Sequence, residues 1–396
     1  MDLNKLIFGN GCDLFSDRCS DFNDRIDRVD RVDQIDQLVC EDLVLPSRQE
    51  WRHFVRSDPF VELRDEEFRL QYRFSKQSVL RLECEITPFL QVDERAHCLT
   101  PLQMLLITLS HLGGDEFQRT TARCVRCSTP TVANCLHRVL YALEKLKPRY
   151  VRLPNKDEEN DSARQIRERF YLDKCAYGID GVHMIFKDKP QRVLDGQDPV
   201  QFWNRKERYS INVQVIGDAF HLIRDIDVRY PGSVHDALIW NYSMAKTHLT
   251  TRDFFVAADS AYPLSELVMK PFSEPANGKE RLFNRRLSQA RVVMTEDIFG
   301  MWKRRFPILC NMRFTHLYAM RAVVATAVLM NFGTLEHDSI DDIIPHPDPE
   351  PDFDIEDERS TTERRTAGHA ARDRIVESML PPQTSSEHKV FHQNRV

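Results

Sequence analysis

Three acidic side chains sit where a carboxylate is costly unless it works. Asp180 follows the strand-like run Tyr177-Gly178-Ile179 and precedes Gly181, so it is expected where a strand ends or bends. Asp259 closes the continuous apolar run 254–258, at the tip of a strand buried on both faces. Glu296 lies in a helical segment with Val292, Val293, Phe299 and Gly300 three and four residues away, which puts its carboxylate on an apolar stripe. An unpaired charge there is expensive unless a cation or a hydrogen-bond donor compensates it. Gly300 costs about 1 kcal/mol relative to alanine inside a helix, which predicts a closely packed neighbour. Hard divalent cations such as Mg²⁺ take oxygen ligands and keep waters for a substrate's phosphate oxygens. Three carboxylates at two strand ends and one facing helix can hold two such ions. The ions would activate a water or a 3′-hydroxyl and stabilise the leaving oxygen of an in-line displacement. The competing reading is structural: three salt-bridged acids, with Arg291 at hand as a partner.

Other polar residues carry two readings each. Asp236, after His235, is either a fourth carboxylate for the metal or, the favoured role, an acid in the first turn of a helix. Strand alternation sends His183 to the face opposite Asp180, which makes it a core or surface histidine rather than a ligand. Arg205, Lys206 and Arg208 form a basic turn that either grips DNA phosphates or is simply solvated. Arg291 pairs with a carboxylate or with DNA, while Lys303, Arg304 and Arg305 continue their helix toward solvent as DNA-backbone contacts. Cys124-x-x-Cys127 and Cys135-x-His137 offer zinc-ligand types, but Leu136, Val139 and Leu140 favour core cysteines.

The elements that must position these groups follow from composition and periodicity. The chain has 396 residues, 41% hydrophobic and 29% charged, enough for one large or two ordinary globular domains. No secretory leader is read at the N-terminus and no apolar run reaches the length of a membrane span, so a non-membrane, intracellular protein is expected. The net charge of −6 hides an asymmetry, because residues 336–358 hold eleven acids and no Lys or Arg, and −6 + 11 leaves +5 for the rest. Residues 1–50 read as poorly structured. Residues 51–150 read as a small all-α, helix-turn-helix-like domain in which Thr100-Pro101 and Ser128-Thr129-Pro130 start helices. Asn134, His137 and Arg138 lie on its candidate recognition helix. Residues 151–170 read as a polar linker. Residues 171–335 read as strands and then alternating strand and helix, an α/β domain. Residues 336–396 form an acidic, proline-rich tail of disordered composition, with a short helix around 370–380.

Several blocks in this order resemble the nuclease domain of PIF/Harbinger transposases and their domesticated relatives. They are Ile179-Asp180-Gly181-Val182-His183, the stretch from Asn204-Arg205-Lys206 to Asn212-Val213-Gln214, and Pro231-Gly232-Ser233-Val234-His235-Asp236. Ala258-Asp259-Ser260-Ala261-Tyr262-Pro263, Phe283-Asn284-Arg285-Arg286-Leu287 and Glu296-x-x-Phe299-Gly300-x-x-Lys303-x-Arg305-Phe306 complete the set. The resemblance implies an RNase H-like fold and a DDE triad of Asp180, Asp259 and Glu296 with Mg²⁺ or Mn²⁺. It also implies cleavage at transposon ends, joining of 3′-hydroxyl ends to target DNA, and a separate Myb-like partner that supplies end recognition and nuclear import. A homo-oligomer would pair the two ends. The chain departs from the family at Leu329-Met330-Asn331, where Leu-His-Asn is usual, and at Thr295 before Glu296, where many relatives have valine. Two other functions compete: a domesticated protein that binds DNA or chromatin without cutting, and a metal hydrolase of small phosphate esters. The basic stretches 205–208 and 303–305 weigh against the last.

Overall fold

The computed structural model of the chain describes residues 58–90, 99–190, 193, 198–339 and 362–378. The segment 1–50 and nearly all of the acidic stretch 336–358 lie outside them. Helices come first: α1 (Pro59–Glu62), α2 (Asp65–Tyr72), α3 (Lys76–Ile86), α4 (Pro101–Leu112), α5 (Gln118–Cys124), α6 (Thr129–Lys145), α7 (Lys147–Tyr150) and α8 (Lys156–Phe170). Local chemistry starts them where expected. The Thr100 hydroxyl accepts from the Gln103 N–H and the Gln103 side chain accepts from the Thr100 N–H, with Pro101 at the first helical position of α4. The Ser128 hydroxyl likewise accepts from the Thr131 N–H at the start of α6.

Five strands follow: β1 (Cys175–Ile185), β2 (Ser210–Asp218), β3 (Ile223–Pro231), β4 (Phe255–Ala257) and β5 (Val268–Met269). The sheet order is β3-β2-β1-β4-β5, with β1–β2 and β2–β3 antiparallel and β1–β4 and β4–β5 parallel. Helices α9 (Asp236–Asn241) and α10 (Met244–Leu249) separate β3 from β4. After β5 come α11 (Gly278–Met294), α12 (Glu296–Arg305), α13 (His316–Leu335) and α14 (Thr362–Ser378). This mixed α/β architecture is consistent with the RNase H-like expectation.

Several boundaries differ from the sequence reading. Residues 156–170, expected as linker, are the helix α8, because Asn155 and Glu158 form a capping box and Ala163, Ile166 and Phe170 bury one face. The helical lead-in is not a separate body: Phe68, Leu105 and Leu136 share one apolar core with Val213 and Val215 of β2 and with Val323 and Leu329 of α13. Helix α13 is long and apolar enough to cross a membrane by length and composition, yet its residues are mostly buried inside the protein. The tail helix begins earlier than expected and docks, with Ala371 and Val376 in the core beside Phe283 and Arg372 stacked 3.5 Å over the Phe272 ring. A helix-turn-helix reading of α4 to α6 gains little, since the His137 ring lies 5.7 Å from that of Tyr318 on α13. Asn134 alone of the three candidate base readers is exposed.

Candidate active site

Asp180 does not end a strand. It sits in the middle of β1, paired in register with Val215 of β2, because the backbone at Gly181 stays extended and continues into Val182 and His183. On the other side β1 runs parallel to β4 with Gly178 beside Ala257. Strand β4 ends at Ala257, and two residues later Asp259 lies close enough for its charge to act on Asp180. Asp259 turns the chain by accepting the Ala261 N–H at 3.0 Å, and Lys270 holds the same loop by donating to the Ser260 carbonyl at 3.0 Å.

Glu296 arrives by another route, and the buried-stripe expectation fails. The helix predicted to run through it breaks at Thr295, whose φ of −137° and ψ of −65° are not helical. Glu296 is therefore the first residue of α12, with its side chain 37% exposed, where the positive end of the helix favours an acid. The Thr295 hydroxyl donates to the Arg291 carbonyl at 2.9 Å, satisfying an acceptor at the break, which a valine could not do. The junction lies directly on the sheet. A methyl group at Gly178 would stand 2.7 Å from Cβ of Met294, and one at Gly217 would collide with the Met294 carbonyl oxygen. These two glycines are register partners across β1 and β2. No close packing explains Gly300, whose nearest neighbour to an added methyl is Arg304 Nη1 at 3.3 Å.

Arg291 joins the acids. Its Nη1 lies 2.5 Å from Asp180 Oδ2 and its Nη2 lies 2.7 Å from Glu296 Oε1, with the guanidinium only 15% exposed. Of the two roles expected of Arg291, this geometry shows the pairing with carboxylates. Asp236 approaches from the first turn of α9, with its Oδ1 packed against Gly181 and accepting from Asn212 Nδ2 at 2.7 Å. Asp236 is an acid in the first turn of α9, the favoured reading, and its charge also acts on Asp180.

Electrostatics follow from this crowding. Burial pushes the Asp180 carboxyl up to about 8; Arg291 opposes this, while the charges of Asp259 and Asp236 add to it. A 2.5 Å ion pair and so raised a carboxyl pull in opposite directions. One guanidinium shared between two acids is too little for a buried carboxylate beside two more, so the upward direction stands. Burial raises Asp236 as well. The Tyr262 hydroxyl is fully buried next to Asp236, Asp180 and Asp259 and has no hydrogen-bond partner among the described residues. An excess of hard oxygen donors with an orphaned hydroxyl suits a hard divalent cation and its waters. Among the described residues no three His, Cys, Asp or Glu side chains converge on one metal position. The donor chemistry nonetheless fits, and the carboxylate of Glu296 is tied up by the Arg291 guanidinium.

The expected DNA contacts divide. Arg205, Lys206 and Arg208 are exposed on the turn before β2. Sequence reading missed what holds that turn: Asn204 Oδ1 accepts the N–H groups of Lys206 at 2.9 Å and Arg208 at 3.2 Å. Its Nδ2 donates to the Ser210 hydroxyl, itself 3.0 Å from His183 Nδ1. Asn204 directly precedes the Arg-Lys pair, and that asparagine was the available signal. Burial, then Lys303, Lys206 and Arg205, depress His183 to about 4, so two stretches distant in sequence meet near it. Arg305 is a correction. It is buried, its guanidinium stacks 4.7 Å over Phe74 and donates to the Asp338 carbonyl, because the last turn of α12 faces the helical layer. The zinc alternative also finds no cluster among the described residues; Cys127 and Cys135 are core residues.

Comparison with known proteins gives a family likeness first. Residues 179–331, which include Asp180, Asp259 and Glu296, match the family described as DDE superfamily endonuclease. The matched region runs from within β1 through most of α13 and takes in the five-stranded sheet. Among individual proteins it is similar to the nuclease-named HARBI1 of Rattus norvegicus, 20% identical over 245 residues, 60% of this chain and 68% of that protein. HARBI1 of Mus musculus is 22% identical over 245 residues with the same coverage of both chains. No solved structure matches the chain.

Proposed function

We propose that this protein is a divalent-metal-dependent DNA endonuclease derived from a Harbinger-type transposase, with Asp180, Asp259 and Glu296 as its DDE triad. The observation that carries the reading is the grouping of Asp180 with Asp259, whose charge acts on it, and with Glu296, tethered to Asp180 through Arg291, inside the matched endonuclease region. Asp180 and Asp259 would hold Mg²⁺ or Mn²⁺ with Asp236 in support. The metal would supply charge for the in-line displacement and a lowered proton affinity for the attacking oxygen. Glu296 would complete the donor set once released from Arg291, whose guanidinium would then offer bidentate donors to a phosphate. Lys206, Arg205 and Lys303 bind the backbone on the approach. Cleavage at transposon ends, joining of 3′-hydroxyls to target DNA, pairing of two copies, and nuclear import on a Myb-like partner complete the proposal.

One observation favours a second reading. Arg291 pairs with both Asp180 and Glu296, an ion-paired arrangement that a retired enzyme which binds DNA without cutting would keep. Cleavage of supercoiled plasmid in Mg²⁺ or Mn²⁺ separates the two. The endonuclease reading expects products from wild type, none after EDTA and none from Asp180→Ala. Equal products from wild type and variant would remove the active-site assignment, and none from either would leave the binding protein.

A further inference from the structure

Beyond Asp180, strand β1 runs five residues to Ile185, about 16 Å at the usual rise. There it opens into a cavity of about 560 Å³ lined by Lys187, Lys189, Trp203, Arg208 and Tyr209. The walls are built rather than loose. Phe186 N donates to the Tyr209 carbonyl at 2.8 Å, and Lys187 N to the Met312 carbonyl at 2.9 Å. Trp203 and Tyr209 form an isolated bridge, with ring centroids 4.8 Å apart at 68°. Trp203 is nonetheless 44% exposed, a large aromatic surface left open beside cations. Lys187, Lys189 and Arg208 outnumber the two acids on the rim, Asp188 and Glu207.

An exposed indole among cations, in a cavity of nucleotide size, has the chemistry of a stacking platform for an unpaired base. A paired base inside a duplex cannot enter such a pocket without leaving its stack. Along β1 toward the cavity, three residues past Asp180, the charges of Lys303, Lys206 and Arg205 all act on His183. The length of that run of β1 matches about five nucleotides of one strand, at about 3.4 Å each.

We propose that this cavity receives an unpaired DNA base some five nucleotides from the cut, stacked on Trp203, with the adjoining phosphates held by Lys187, Lys189 and Arg208. The proposal rests on the endonuclease reading for the position of the cut, but the pocket is testable without cutting. The full chain is titrated in EDTA with a labelled duplex ending in an unpaired 3′ segment, and with the same duplex blunt-ended. Wild type binds the unpaired end more tightly, and that end quenches tryptophan emission, the exposed Trp203 being the reporter. Trp203→Ala weakens binding to the unpaired end about tenfold, the lower part of the range for one stacked base, while Trp203→Phe retains most of it. Equal affinity of wild type for both probes without quenching, a measurement that needs no variant, would overturn the pocket. So would a folded Trp203→Ala that binds as wild type does. Plasmid cleavage without end preference overturns the pocket alone, and end preference without cleavage overturns the endonuclease reading alone.

Discussion

Gly178 on β1 stands directly opposite Gly217 on β2, and the break between α11 and α12 rests on that bare pair. The pair fixes how closely Met294 and Thr295 approach the sheet, and so where Glu296 begins its helix. A side chain at either glycine has no free volume, because the obstacle is Met294 itself.

Gly217→Ala is therefore expected to cost about 1–3 kcal/mol through overpacking against a backbone carbonyl. It should also lower cleavage more than stability alone explains, since Glu296 moves with the junction. Chemical denaturation and plasmid cleavage on the same preparation check this. A variant with altered stability but unchanged cleavage per folded molecule would show that the junction does not position the acid.

Removing Arg291 leaves the buried Asp180 without its cation. Arg291→Met is expected to lose about 3 kcal/mol in metal-free buffer above the Asp180 value of about 8, where that carboxylate is charged, the lower end for a broken buried pair. Mn²⁺ should restore much of that loss, because it binds the folded state only. Thermal melts with and without Mn²⁺ give the answer, and a variant as stable as wild type in EDTA would contradict the clamp.

The raised carboxyl gives a pH signature. Asp180 titrates at about 8 in the folded chain against an ordinary 3.8. A carboxyl raised in this way favours folding while protonated, so its contribution is whole below about pH 4 and is lost as pH climbs through about 8. Metal-free wild type should thus lose melting temperature across that interval faster than Asp180→Asn, which stays neutral. Parallel curves would mean that Asp180 is charged throughout.

Much of this site is legible in the chain. Strand-like runs, an apolar stretch and family motifs single out Asp180, Asp259 and Glu296, and the Asp259 charge acts on Asp180 from the loop after β4. Periodicity alone misplaces Glu296 on a buried stripe, because it assumes an unbroken helix and cannot see Thr295 leave it. Likewise β1 reads as two pieces because Asp180-Gly181 looks like a turn, whereas Asp236 packing on Gly181 explains why no side chain is tolerated there. Arg305 reads as a solvent-facing cation beside Lys303, but its burial against Phe74 is a tertiary contact between residues far apart in sequence. The Trp203 pocket is invisible in the sequence for the same reason.

That contrast predicts different behaviour from neighbouring cations. Lys206→Ala and Lys303→Ala should each reduce the slope of log affinity against log salt for duplex DNA by about 0.9. Arg305→Ala should leave the slope unchanged and lower the melting temperature instead. Anisotropy titrations over a salt series separate the cases, and an Arg305 variant with a reduced slope would return that residue to the DNA surface.

The most direct measurement is a crystal structure of the metal-free protein soaked in Mn²⁺, read by anomalous scattering. The account predicts Mn²⁺ bound by Asp180 and Asp259, with Glu296 released from Arg291 and turned toward the ion. Manganese bound elsewhere, or Asp180 still paired with Arg291 and Glu296 at saturating Mn²⁺, would contradict the assignment of these three acids as a metal site.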